Sequence, residues 1–199
     1  MNPFIWYTPA ETKICLSPFS EAVLGKRDDL DKYLCSYLGT EACILACSGR
    51  ALLTLLLCAL RTRDTQDRDE VLMPAYTCYS LAASVVKAGL RISLYDLDPR
   101  TLRPDMASLN NAAGSKTLAI IYQHLFGIPQ PIEDFKETAA RNSIPLIEDA
   151  AQGLGGFLNS KPLGAMGDYG IFSFGRGKPL LVGEGGALIY VSNAGHFVH

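Results

Sequence analysis

Short, almost wholly apolar runs separated by stretches of helical periodicity restrict this chain more than any other feature. The runs are "CILAC" (43–47), "VLMPA" (71–75), "RISLYDL" (91–97), "TLAIIYQ" (117–123), "IPLIED" (144–149), "YGIFSF" (169–174) and "GALIYV" (186–191). Their length and their aliphatic, partly β-branched content mark them as strands. Half-solvated antiparallel strands would alternate apolar and polar residues. These do not, so the sheet is expected to be mainly parallel and covered by helices on both faces. The fold class is therefore α/β, a three-layer α/β/α arrangement, with "GALIYV" as a returning strand.

Helices are predicted between the runs. Residues 20–38 carry Val23, Leu24, Leu30, Tyr33, Leu34 and Leu38 at helical spacing, with charges between them. Others are expected from about Arg50, over Tyr79–Lys87, near residues 105–112, and over "IEDFKETAARN", where Pro131 stands at the start and acidic residues fill the first turn. "DPRTLRPD" (98–105) reads as a turn and "RTRDTQDRDE" (61–70) as a solvated connection. The apolar stretch 42–60 invites comparison with a membrane span, but Ser48, Gly49 and Arg50 divide it into pieces too short for a bilayer core. It reads instead as a buried strand, a turn and a buried helix.

With 199 residues, 19% of them charged, and a formal net charge of −2, the chain suits one domain and offers no basic field to nucleic acid. A small molecule is the expected partner. The six cysteines, Cys15, Cys35, Cys43, Cys47, Cys58 and Cys78, include no C-x-x-C pair, and His124, His196 and His199 do not cluster with them. No metal site is expected. The opening residues lack the basic, apolar and small-residue pattern of a leader, so the expectation is a cytoplasmic protein with reduced thiols.

In a parallel sheet, ligands bind beyond the carboxyl ends of the strands, so polar residues just after the apolar runs carry the chemistry. Three places stand out. In "CSGRALLTLLL", Ser48, Gly49 and Arg50 lead from a strand into a helix, which suits either a phosphate seat or a plain serine cap beside an exposed arginine. In "IPLIEDAAQG", Glu148 and Asp149 must point to opposite faces, so one acid at most reaches a given crevice, unless it caps the following helix. In "FSFGRGKPLLVGEGG", Lys178 sits in a glycine-rich loop, where partial desolvation beside other cations would lower its pKa and let it attack a carbonyl; Arg176 is the competing cation. Phosphate seat, carboxylate and loop lysine together are what pyridoxal 5'-phosphate requires: an anchor for its phosphate, an acid for its pyridine nitrogen and an amine for its aldehyde.

The segments "YLGTEACILACSGRALL", "DEVLMPAYTCYSLAASVVKAG", "YDLDPRTLRPD", "QHLFGIP", "IEDAAQGLGG", "LGAMGDYGIFSF" and "GKPLLVGEGGAL" resemble, in order, the signature blocks of the DegT/StrS group of pyridoxal-phosphate sugar aminotransferases, which have the aspartate aminotransferase fold. The resemblance runs from about residue 28 to the C-terminus and divides the chain into an N-terminal arm with the start of the first helix (1–27) and the large cofactor-binding domain (28–199). It implies that Lys178, in F-S-F-x-x-x-K, binds the cofactor's aldehyde and moves the substrate proton, and that Asp149 pairs with the pyridinium nitrogen. It also assigns Gln152 to the phenolic oxygen, and Ser173 with the backbone around Gly49 and Arg50 to the phosphate. His124 looks structural. The implied substrates are an amino acid, glutamate, and a nucleotide-linked keto sugar, with a second subunit completing the site in a homodimer.

The chain departs from the family pattern at several points. Arg50 follows S-G where threonine is common, Pro179 follows the lysine in place of asparagine, and Cys78 occupies the position of the stacking aromatic, with Tyr76 and Tyr79 nearby. Lysine at 178 speaks against the family's dehydratase branch, where histidine replaces it. The family's proteins extend well past "GEGGALIYVSN" into a smaller C-terminal domain. The expectation is thus an incomplete large domain, and the alternative is an inactive fragment kept for cofactor binding or dimerisation.

Overall fold

The computed structural model describes residues 29–175, 177–179 and 184–191. Val23, Leu24, the arm 1–27, Cys15, Arg176, His196 and His199 lie outside the described residues. In chain order the elements are α1 (Leu30–Leu38), β1 (Ala42–Ala46), α2 (Gly49–Arg63), β2 (Glu70–Pro74), α3 (Tyr79–Lys87), β3 (Arg91–Tyr95), α4 (Met106–Ala112), β4 (Thr117–Gln123), α5 (Glu133–Asn142), β5 (Leu146–Asp149), β6 (Phe157–Leu158), β7 (Lys161–Pro162), β8 (Tyr169–Ser173) and β9 (Gly186–Tyr190). Seven strands form one sheet in the order β1-β9-β8-β5-β4-β2-β3. The block from β8 to β3 is parallel throughout, and β9 runs antiparallel between β8 and β1. The mainly parallel α/β fold and its returning strand are as the sequence implies.

The central strands are buried on both faces, as continuous apolar runs require. On one side Leu72, Ile120, Tyr122, Leu146 and Phe172 pack with Leu34 and Leu38 of α1, Leu109 of α4 and Phe135 of α5. On the other, Val71, Met73, Ile121, Ile147 and Ile171 meet Leu52, Leu56 and Leu57 of α2 and Leu81 and Val85 of α3. Local chemistry sets the helix ends. The Ser48 hydroxyl accepts from Ala51 N–H at 3.1 Å to start α2, the Asp105 carboxylate accepts from Ala107 and Ser108 to start α4, and Gly39 closes α1 at φ +67°.

The structure departs from the sequence reading in three places. β1, read as buried, is an edge strand with Ile44 58% and Leu45 41% exposed. The run 61–70 is a connection only beyond Arg63, where α2 ends; most of it is exposed as the sequence implies, but the side chains of Asp64 and Arg68 pair out of solvent. Asp64 accepts from Arg68 Nε at 2.5 Å and from the N–H groups of Gln66 and Arg68, while Arg68 also donates to Ser143 O. Those bonds hold the Asp64 carboxyl below its ordinary range although burial works to raise it. The β6–β7 hairpin was not anticipated. Its turn places Asn159 and Ser160 at φ +49° and +64°, the left-handed pair that a two-residue hairpin needs.

One buried carboxylate ties β5 to the loop before β8. Glu148, fully buried, accepts from Gly164 N–H at 2.6 Å, Met166 N–H at 2.7 Å and Gly167 N–H at 3.0 Å, and its Oε1 lies 2.7 Å from His124 Nε2. The loop is pressed so closely here that a Cβ on Gly170 would stand 1.9 Å from Gly164 O. Glu148→Leu leaves those donors buried without an acceptor, and is expected to cost about 3 kcal/mol or more of unfolding free energy. Urea unfolding measures it, and a loss below about 1 kcal/mol would contradict the clamp.

Candidate functional site

The carboxyl ends of β4, β5 and β8 and the N-termini of α2 and α3 surround a cavity of about 290 Å³. Gly49, Arg50, Cys78, Asp149, Gln152, Ser173 and Lys178 all line it, although they come from five separated segments of the chain. Leu53, Leu81, Ile121, Ile147 and Ile171 supply its apolar wall. Tyr76, 57% exposed, does not line it.

At one end, α2 begins against β8. A Cβ on Gly49 would stand 2.7 Å from Phe172 O, so only glycine lets the helix start approach the strand this closely. The Ser48 hydroxyl and carbonyl accept from Ala51 and Leu52, and Gly49 and Arg50 carry first-turn N–H groups that a helix cannot satisfy internally. The Arg50 guanidinium lies over the Tyr79 ring, 5.5 Å from its centroid, and is 3.5 Å from the Tyr79 hydroxyl. Ser173, at the end of β8, completes this corner. A helix N-terminus, a guanidinium and a hydroxyl are donors of the kind that suit an anion.

At the other end stands Asp149, 4% exposed. Its Oδ1 accepts from Ala151 N–H at 3.0 Å and its Oδ2 from Gln123 Nε2 at 2.9 Å. Burial pushes its carboxyl above the usual carboxylate range, although the Ala151 N–H, the charge of Lys178, the Gln123 amide and His124 each pull it back. A cationic N–H donor entering the cavity would relieve that burden. Glu148 points to the other side of the sheet, as strand alternation requires, and meets the buried His124 ring there, while His124 is also among the residues lining the cavity. The His124 ring also packs edge-on against Tyr122, 4.9 Å between centroids.

Lys178 follows Gly177, at φ +74°, and its N–H donates to Gly175 O at 3.2 Å. A primary amine thus shares the cavity with a buried acid and the start of α2. Sequence reasoning missed Gln123 and Thr77, which donates from Oγ1 to Gln123 Oε1 at 2.8 Å. A signal for Gln123 existed: it is the one polar residue closing the apolar run "TLAIIYQ" at a strand's carboxyl end.

Cys78 caps α3 with extended backbone at the cavity's rim. Burial works to raise its thiol, but the Ser80 hydroxyl at 3.1 Å, the Ser80 N–H and the charge of Lys178 outweigh burial and the opposing Asp149, leaving the thiol below its ordinary value. Cys43 shows the reverse, pushed up to about 12 by burial with Cys35 and Asp31 adding to it.

A model of the DegT/DnrJ/EryC1/StrS aminotransferase family matches residues 23–196. The L-glutamine:2-deoxy-scyllo-inosose aminotransferase of Streptoalloteichus tenebrarius is 36% identical over 154 residues, 77% of this chain and 36% of that protein. The GDP-perosamine synthase of Caulobacter vibrioides is 34% identical over 160 residues, 80% of this chain and 42% of that one. The chain thus spans well under half the length of these curated relatives. Among solved structures, the E. coli GDP-4-keto-6-deoxy-D-mannose-3-dehydratase with bound hydrated PLP superposes with a TM-score of 0.79 at 23% identity, covering 94% of this chain and 51% of that one. That likeness shows the shared fold.

Because the thiolate is the reacting species, iodoacetamide near neutral pH is expected to label Cys78 several-fold faster than Cys43, and Ser80→Ala is expected to slow labelling at Cys78. Peptide mass spectrometry reads both, and equal rates at the two thiols would contradict the electrostatics described.

Proposed function

The chain belongs to the DegT/DnrJ/EryC1/StrS aminotransferase family, and we propose that residues 28–199 are the cofactor-binding large domain of an enzyme that moves an amino group from an amino acid to a keto sugar carried on a nucleotide. The proposal includes glutamate as donor, a cytoplasmic setting, and a role in making sugars for cell-surface polysaccharide or secondary metabolites. The observation that carries it is the shared cavity: Lys178, Asp149 and the start of α2 line one space.

The residues fit pyridoxal 5'-phosphate. Its phosphate would be held by the backbone of Gly49 and Arg50, the Arg50 guanidinium and Ser173, its ring nitrogen by Asp149, its phenolic oxygen by Gln152 and its aldehyde by Lys178. Cys78 would meet the ring with a thiol in place of an aromatic face. When bound, the cofactor supplies an electron-withdrawing pyridinium that accepts the electrons released as a substrate C–H bond breaks.

The chain's own groups do the rest. Lys178 Nζ takes a proton from the α-carbon of the amino donor and returns it to the other end of the reacting system. Asp149, buried at the cavity wall, keeps the proton on the ring nitrogen. The apolar wall excludes water from one side of the reacting atoms. Lysine rather than histidine at 178 favours amino transfer over the family's dehydration chemistry. Exposed Tyr33 and Tyr37 on α1 and Ile44 and Leu45 on β1 offer an apolar surface that supports pairing with a second copy.

Reconstituting the chain with pyridoxal phosphate is expected to produce the visible absorbance of the lysine-bound cofactor, absent from Lys178→Ala. Asp149→Asn is expected to weaken cofactor binding roughly 10- to 100-fold, the scale of a charged hydrogen bond. Adding L-glutamate should then discharge the absorbance and release a 2-oxo acid; L-glutamine, the donor in the first relative's name, is the comparison. No absorbance, or identical spectra from the wild type and Lys178→Ala, would overturn the reading.

A further inference from the structure

The last matched residues of the parallel β4–β5 pair are Gln123 and Asp149. Lateral neighbours in a sheet project to the same face, so this register alone brings an amide beside the buried acid on the cavity side. Gln123 Nε2 donates to Asp149 Oδ2 at 2.9 Å, and Ala151 N–H takes Oδ1 at 3.0 Å. With one donor on each oxygen, the carboxylate cannot turn about its Cβ–Cγ bond without losing one of them, and Asp149 itself lines the cavity.

A glutamine side chain by itself could present either its NH2 or its oxygen to a neighbour. Here both ends of the amide are engaged. The Asp149 carboxylate, which only accepts, takes the NH2, and Thr77, in the loop between β2 and α3, donates from Oγ1 to Gln123 Oε1 at 2.8 Å and so anchors the amide from the other end. Thr77, Gln123 and Asp149 stand at the carboxyl ends of β2, β4 and β5, three adjacent strands, so the chain of bonds crosses the floor of the site. Lys178, His124, Cys78 and Tyr95 are charged or titratable neighbours coupled to the same acid.

We propose that Gln123, oriented by Thr77, is a positioning residue that aims the Asp149 carboxylate at the ring nitrogen of a pyridine-type cofactor. This rests on the function proposed above. Neither residue need touch the cofactor: Gln123 acts by holding the acid still, and Thr77 by anchoring the amide that holds it.

The experiment uses the chain loaded with pyridoxal phosphate and reads the cofactor's dissociation constant and the pH at which its visible band titrates. Gln123→Leu removes the donor and keeps the volume; a loss of affinity of about tenfold is expected. The band should also titrate at higher pH, because a ring nitrogen held less firmly in its protonated form draws fewer electrons from the nitrogen bonded to Lys178. Thr77→Val is expected to weaken binding severalfold in the wild-type background and to have no further effect in Gln123→Leu, since its influence passes through the amide. Thr77→Ser, which retains the hydroxyl, should restore wild-type behaviour, and the Thr77 pair decides the matter if Gln123→Leu does not fold. A wild-type band with unchanged affinity and titration in Gln123→Leu and Thr77→Val, or additive effects of the two, would overturn this proposal alone. No band in the wild type would overturn it together with the cofactor reading.

Discussion

The parallel register of β4 against β5 is the constraint on which the rest of the site depends. It pairs Tyr122 with Glu148 and Gln123 with Asp149, and the two-residue period of a strand then sends the two acids to opposite faces of the sheet. One face receives a carboxylate saturated by amide donors. The other receives a carboxylate with a donor on each oxygen and a cavity beyond it. A slip of one residue would exchange the two environments and leave the cavity facing the wrong acid.

The contrast between these carboxylates is an argument about free energy as well as geometry. A buried charge is tolerable when hydrogen bonds replace the water it has lost. Glu148 meets that condition through Gly164, Met166, Gly167 and His124, so it ties down the loop that leads into β8. Asp149 has one donor on each oxygen, and burial still raises its carboxyl. A buried acid at a cavity wall that also holds a lysine and a helix N-terminus is where ligand chemistry is found, because a ligand can offset the cost of burial. The same local logic separates Cys78, lowered by Ser80 and Lys178, from Cys43, raised by burial.

Much of this was legible in the sequence. "TLAIIYQ" and Tyr79–Lys87 are the residues of β4 and α3 because local composition and tertiary packing agree there. Glu148 and Asp149 could be recognised as a pair that must diverge. β1 could not be recognised as an edge strand, because its apolar run looks like those of the central strands and only the strand order leaves Ile44 uncovered. The stretch after α2 looked like solvated charge because Asp64 and Arg68 are both polar; their mutual bonds and the Ser143 carbonyl, distant in sequence, make burial tolerable. Thr77 and Gln123 were missed for the same reason, since their bond joins the loop after one strand to the end of another, and no local pattern encodes that adjacency.

The chain's own order of residues determined the alternation of strands and helices, the covered parallel sheet, and a small set of polar residues at strand ends able to hold a phosphate, an acid and an amine. Those follow from period, burial and turn chemistry, which act over a few neighbouring residues. Only the tertiary structure decided that these residues line one cavity, which of two adjacent acids faces it, and which amide steadies that acid. Strand order and register are settled by packing across the whole sheet, and hydrogen bonds between its strands follow from that settlement.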